Sequence, residues 1–105
     1  MKNDRIKVTL YNKTFKEIDM SDFSRIPEEL FSNRDDIVSV VLPEGVEVVS
    51  ANAFENCKRL EKIEFPSTLK RIENEAFLNC YNLKEAEFDN NVEVSADAFK
   101  GCLNL

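Results

Sequence analysis

Leu60-Glu-Lys-Ile63-Glu-Phe65-Pro66, then Leu69 and Ile72, then Ala76-Phe77-Leu-Asn79-Cys80, is a pattern the chain has already written once. The earlier copy is Ile37-Val-Ser-Val40-Val-Leu42-Pro43, then Val46 and Val49, then Ala53-Phe54-Glu-Asn56-Cys57. Every landmark moves by 23 residues. A period of this length marks stacked solenoid coils, where no coil buries its apolar face without a neighbour.

Weaker copies flank this pair. On the C-terminal side run Leu83, Ala86, Phe88, Val92, Val94, Ala98-Phe99 and Gly101-Cys102, a coil of 22 residues with its deletion between Val92 and Val94. On the N-terminal side Phe15, Ile18 and Met20 have the spacing of Leu60, Ile63 and Phe65. There Phe23 and Ile26 match Val46 and Val49, Leu30-Phe31 match Ala53-Phe54, and Asn33 matches Asn56, with Arg34 in place of Cys. The coils are therefore 15–36, 37–59, 60–82 and 83–104, and Leu105 opens another, so the C-terminal end is expected to be uncapped. Residues 1–14 stand outside the repeat. Ile6, Val8 and Leu10 alternate with Arg5, Lys7 and Thr9 as in a half-buried strand, and Tyr11 to Thr14 reads as a turn. This segment is expected to cap the first coil as a strand, or as a hairpin with the residues after the turn.

Within a coil, L-x-x-I-x-F is a short strand, ended by Pro43 or Pro66, which cannot donate to a ladder. Glu44-Gly45, Ser67-Thr68 and Asn90-Asn91 are turn residues. The V-x-x-V segment returns along the opposite side. Ser50 to Asn56 and its equivalents suggest one or two turns of helix, with Ser50 and Ser95 as N-caps and Pro27 in a first turn. Asn33, Asn56, Asn79 and Gly101 share one position, and these residue types predict a positive φ there.

From Leu60-x-x-Ile63-x-Phe65-Pro66 through Ala76-Phe77-x-x-Cys80-x-x-Leu83, with the flanking copies, the chain resembles the BspA-type leucine-rich repeats of bacterial proteins. The resemblance covers roughly residues 15–105. It implies an α/β leucine-rich-repeat solenoid, with parallel strands stacked into a curved sheet and short helices or turns on the convex side. It also implies a surface or secreted protein that binds other macromolecules, host proteins among them.

Composition narrows the function. With 105 residues the chain is one domain. Twenty acidic residues against 14 basic ones give a net charge of −6, the wrong sign for nucleic acid or an anionic membrane surface. No apolar run approaches the length of a membrane span. The start, Met1-Lys-Asn-Asp-Arg-Ile-Lys, lacks the apolar core of a signal peptide, which points to the cytoplasm if the chain is whole, or to a domain of a longer secreted one. The chain has no His, so the commonest general base and a common metal ligand are missing. No cofactor is expected.

Three sets of residues remain as candidates. Cys57, Cys80 and Cys102 hold one position in successive coils and read as a column of small buried hydrophobes. Phe31, Phe54, Phe77 and Phe99 form a second column, also core. The exposed strand positions form three columns across the sheet: Lys16, Val38, Glu61, Lys84; Glu17, Ser39, Lys62, Glu85; and Asp19, Val41, Glu64, Glu87. This places Glu61 against Lys84 and Lys62 against Glu85, a charge ladder that keeps the sheet soluble. Glu64 beside Glu87 could hold a cation weakly, and carboxylate pairs serve glycosidases, but an open sheet offers such a pair no cleft. Val38, Ser39 and Val41 are the least charged part of the face and a candidate contact patch. The reading is a non-enzymatic protein-binding module using Val38, Ser39, Val41, Glu61, Lys62, Glu64, Lys84, Glu85 and Glu87. The alternative is a structural segment of a longer solenoid, or a self-assembling unit that associates through its open C-terminal end.

Overall fold

The computed structural model of the protein describes residues 5–19 and 24–105. The inward positions expected for Met20 and Phe23, and residues 1–4 of the expected cap, lie outside the described residues. Two sheets face each other across one core. The first contains β1 (Arg5–Leu10), β2 (Phe15–Asp19), β4 (Ile37–Val41), β6 (Lys62–Glu64) and β8 (Glu85–Glu87), in the order β2-β1-β4-β6-β8. The second contains β3 (Arg25–Ile26), β5 (Val48–Val49), β7 (Arg71–Ile72) and β9 (Glu93–Val94), all parallel and in sequence order. The L-x-x-I-x-F segments thus build one sheet and the V-x-x-V segments the other. Val40, Ile63 and Ala86 stack in register on the first, and Ile26, Val49, Ile72 and Val94 on the second.

The N-terminal segment forms the expected hairpin, with β1 antiparallel to β2. Its turn is closed by Leu10 N–H donating to Thr14 O (2.8 Å), by Asn12 Oδ1 accepting from Thr14 N–H (3.1 Å), and by Lys13 at φ 70°. The hairpin does not sit where the repeat spacing puts it. β1, not β2, lies beside β4, antiparallel to it, so Lys16, Glu17 and Asp19 are not neighbours of Val38, Ser39 and Val41. The cause is burial. Ile6 and Val8 of β1 are fully or almost fully buried, whereas Phe15 of β2 is 72% exposed and Lys16 and Glu17 are exposed. The more apolar strand takes the place against the core. Phe15 is therefore not the core landmark its spacing suggested.

There is no helix among the described residues, so the expected helical turns and the α/β description do not hold. From Ser50 the chain instead makes overlapping tight turns. Ala53 N–H donates to Ser50 O, Glu55 to Asn52 O and Cys57 to Phe54 O, each at 3.2 Å. The intervening N–H groups leave the coil: Asn52 donates to Asn74 O (3.3 Å), Phe54 to Ala76 O (2.7 Å) and Asn56 to Leu78 O (2.8 Å). An α-helix would keep these donors within its own turn. Here they form a ladder from coil to coil, which every buried N–H needs. The alternation depends on positive φ at the expected Asn33, Asn56, Asn79 and Gly101 (64°, 61°, 61° and 82°). It also depends on positive φ at Glu29, Asn52 and Glu75 (60°, 60° and 57°), which the sequence did not announce. Ser50 is not a helix cap: it is buried, and its Oγ accepts from Arg25 Nη1 at 2.9 Å.

The core is a stack of rings. Phe31 and Phe54 lie 5.1 Å apart between centroids, Phe54 and Phe77 4.9 Å, and Phe77 and Phe99 5.0 Å. The last two pairs are within 7° of parallel. Phe65 meets Phe77 edge-on at 6.0 Å. Phe77 touches rings on three sides, and its truncation leaves a cavity with no side chain free to fill it. Phe77→Ala is expected to cost roughly 3–5 kcal/mol, enough to leave a domain of ordinary stability largely unfolded. Urea denaturation followed by circular dichroism checks this; a cooperative transition close to that of the parent protein contradicts the stack.

Candidate binding face

The outer side of the first sheet carries the residues singled out from the sequence. Parallel pairing sets Ser39, Lys62 and Glu85 side by side, and Val41, Glu64 and Glu87 likewise. Val38, Glu61 and Lys84 are linked in turn through backbone bonds, Glu61 N–H to Val38 O (2.8 Å) and Lys84 N–H to Glu61 O (2.9 Å). The nine positions are therefore brought together in β4, β6, β8 and the residues leading into them. Lys62 Nζ reaches Glu85 Oε2 at 3.5 Å, between two exposed side chains. Such a pair contributes at most about 1 kcal/mol. Among the described residues Glu61 and Lys84 are adjacent without forming an ion pair.

The valines behave differently from expectation. Val38, Ser39 and Val41 are half-buried, with β1 paired alongside β4 on one side and β6 on the other. Lys7 is the partner of Val41 and Thr9 the partner of Ser39. The patch is a shallow strip between β1 and β6, not an open apolar centre. Beyond it, Lys62, Glu64, Glu85 and Glu87 border an open depression of about 300 Å³ with Phe65 at its base. Glu64 and Glu87 sit at neighbouring positions there with water on one side, so neither is held in the dry site that acid–base catalysis uses.

A second depression escaped the sequence reading. The pairing of β1 with β4 slips between Thr9 and Leu10, so that Leu10 meets Ile37. The hairpin turn then overhangs the chain entering the next two coils, and a cavity of about 470 Å³ opens beneath it. Arg59 lies over the Tyr11 ring there, its guanidinium carbon 5.0 Å from the centroid. Arg59 and Tyr11 are 48 residues apart and belong to different periodicities. Only the hairpin's place beside β4 joins them, so no local signal could have paired them.

The cysteine column is a structural feature. Cys57 and Cys80 are fully buried and Cys102 is half-buried, and all three thiols are free. Each Sγ donates to a carbonyl of the preceding coil: Cys57 to Phe31 O (3.1 Å), Cys80 to Phe54 O (3.1 Å) and Cys102 to Phe77 O (3.2 Å). The neighbouring thiols of Cys102 and Cys57, and after them burial, push the Cys80 thiol far above its ordinary range, where it is inert. In the first coil Arg34 fills this position and makes a two-pronged ion pair with Asp36, Nε–Oδ1 2.9 Å and Nη2–Oδ2 3.0 Å. The hydrogen bonds from Arg34 hold the Asp36 carboxyl below its usual range. Iodoacetamide on the native protein is expected to label Cys102 first, with Cys57 and Cys80 reacting only on unfolding. Mass spectrometry of timed digests reads this, and early labelling of Cys80 contradicts the burial of the column.

Parallel strands stacked in register in two sheets, joined by tight turns that recur in each coil, define a solenoid of the leucine-rich-repeat class. Residues 7–105 match the family described as the BspA type leucine-rich repeat region (6 copies), and the chain belongs to that family. Repeat solenoids of this kind present extended surfaces to other proteins. No curated protein matches the chain. Among the described residues no helix is long and apolar enough to cross a membrane.

Proposed function

We propose that the protein is a non-catalytic binding module that recognises another protein with the outer face of β1, β4, β6 and β8. The observation that carries this reading is the face itself. Val38, Ser39 and Val41 form a shallow, uncharged and largely apolar strip beside mixed charges at Glu61, Lys62, Glu64, Lys84, Glu85 and Glu87. An apolar strip rimmed by charge is how a protein contact is built: the strip supplies affinity and the rim orientation. Family membership supports the same reading, since repeat solenoids serve protein interaction and adhesion. The absence of His from the sequence and the exposure of Glu64 and Glu87 argue against a catalytic role.

A second reading is favoured by the far side of the last coil. Leu103 is 78% exposed there, and Phe88, Val94 and Leu105 are exposed as well, although Leu60 and Leu83, which precede Leu105 in its register, are fully buried. The β8 and β9 edges on this side could accept another coil or a second copy. A single photo-crosslinking experiment separates the two readings, with the crosslinking side chain placed at position 39 or at position 103. Capture of a different protein at position 39, abolished by Lys62→Glu and Val41→Asp in folded variants, supports the binding face. Capture of a second copy at position 103 alone supports assembly. Turnover of any hydrolase substrate that is lost in Glu64→Gln contradicts both.

A further inference from the structure

The cavity under the N-terminal hairpin has the chemistry of a receptor for a carboxylate. Tyr11 N–H donates to Asp36 O at 2.9 Å, which fixes the turn and sets the Tyr11 ring as one wall. Arg59 lies on that wall. A guanidinium stacked on a ring keeps its N–H groups in their own plane, directed past the ring edge and ready for a two-pronged acceptor. Lys13, held by its positive φ in the same turn, lines the cavity with Arg59. Among the described residues neither cation is in an ion pair, in a chain whose net charge is −6. The remaining lining is mixed: Leu10 and Val38 are apolar, Glu61 is acidic and Asn82 neutral. Asn82 already gives its side-chain N–H to Lys58 O (2.8 Å), which keeps its loop in place.

The geometry points to this cavity as the site where an acidic side chain of a protein partner, flanked by an apolar residue, docks between Arg59 and Lys13. Glu61 offsets one of the two positive charges, leaving a single net charge matched to a carboxylate and not to a doubly charged phosphate. Leu10 and Val38 offer the flanking residue an apolar wall. The inference rests on the protein-binding reading only for the kind of ligand. It places the anchoring contact at the hairpin, where Val38 and Glu61 border both the cavity and the strand face. The hairpin thereby becomes part of the recognition surface as well as the end of the first sheet.

The test uses the full chain, labelled with ¹⁵N, and a synthetic peptide, acetyl-Leu-Glu-Leu amide, with its Gln and phosphoserine counterparts. The Glu peptide is expected to give saturable shifts at the amides of Tyr11, Lys13, Arg59 and Asn82. Binding is expected to fall about tenfold or more for the Gln peptide, and equally for the Glu peptide in Arg59→Gln, as a charged hydrogen-bonded pair requires. Tyr11→Leu, at a residue 60% exposed, removes the ring that Arg59 lies on while keeping both positive charges, and should weaken binding in the same direction. If Arg59→Gln loses its dispersed spectrum, Tyr11→Leu decides the matter by itself. Equal binding of the Glu and Gln peptides, tighter binding of the phosphoserine peptide, shifts confined to β6 and β8, or no binding each overturns the inference. The titration needs no natural partner, so its failure is distinct from failure of the strand-face crosslink.

Discussion

The separation of Phe54 and Phe77, 4.9 Å between nearly parallel rings, is the spacing of adjacent hydrogen-bonded strands, and the rest of the molecule is built at that interval. Strand pairing, turn ladder, cysteine column and asparagine column all repeat at the same step. Asn56 Nδ2 donates to Asn33 Oδ1 (2.9 Å) and Asn79 Nδ2 to Asn56 Oδ1 (3.2 Å), so even the side chains at the positive-φ corner form a ladder. At the last rung Gly101 replaces Asn. Its φ is 82°, and a Cβ there would run into the Asn79 side-chain oxygen, so the column closes on a residue with no side chain. A coil displaced by one residue would break the ring stack, the backbone ladder and the side-chain ladder together. That coupling is why a sequence with two strong and two degenerate copies can still specify one register.

Repetition is also what made much of the structure legible in the sequence. A side chain that recurs in the same environment leaves a mark at each recurrence, so the Phe and Cys columns, the positive φ at Asn33, Asn56, Asn79 and Gly101, and the neighbours Lys62–Glu85 and Glu64–Glu87 could all be read. The features it concealed are of two kinds. The turns after Ser50 and its equivalents carry apolar residues close together, as one helical turn would, and nothing in that spacing shows where their N–H groups go. Glu29 and Glu75 hide a left-handed backbone behind a residue type that rarely adopts it. The second kind is competition between segments. Phe15 and Ile18 both fit the repeat spacing, and only comparison of β1 with β2 as rivals for the core reveals that Ile6 and Val8 leave Phe15 exposed, while Ile18 keeps a partly buried place against the core.

The displacement also shapes the outer face of the first sheet. With β1 beside β4, the strand face is antiparallel on one side and parallel on the other, and Lys7 and Thr9 border the valine strip where Asp19 and Glu17 were expected. The register shifts between Thr9 and Leu10, and in the turn that follows Arg59 lies over the Tyr11 ring. The face is thus shallow and mixed in charge along β6 and β8, and concave and cationic at the hairpin. In the proposed role, this gradient along one solenoid would give a protein partner both an orientation and an anchor.

Amide hydrogen exchange is the most direct test of coils held together through their turns. The N–H groups of Phe54, Asn56, Phe77 and Asn79 donate across coils, so they exchange only when neighbouring coils separate. The account predicts that these four exchange slowly and at a common rate close to that of global unfolding, although they lie in turns. Fast or unrelated exchange at Asn56 and Asn79, with protection confined to the strands, would contradict it.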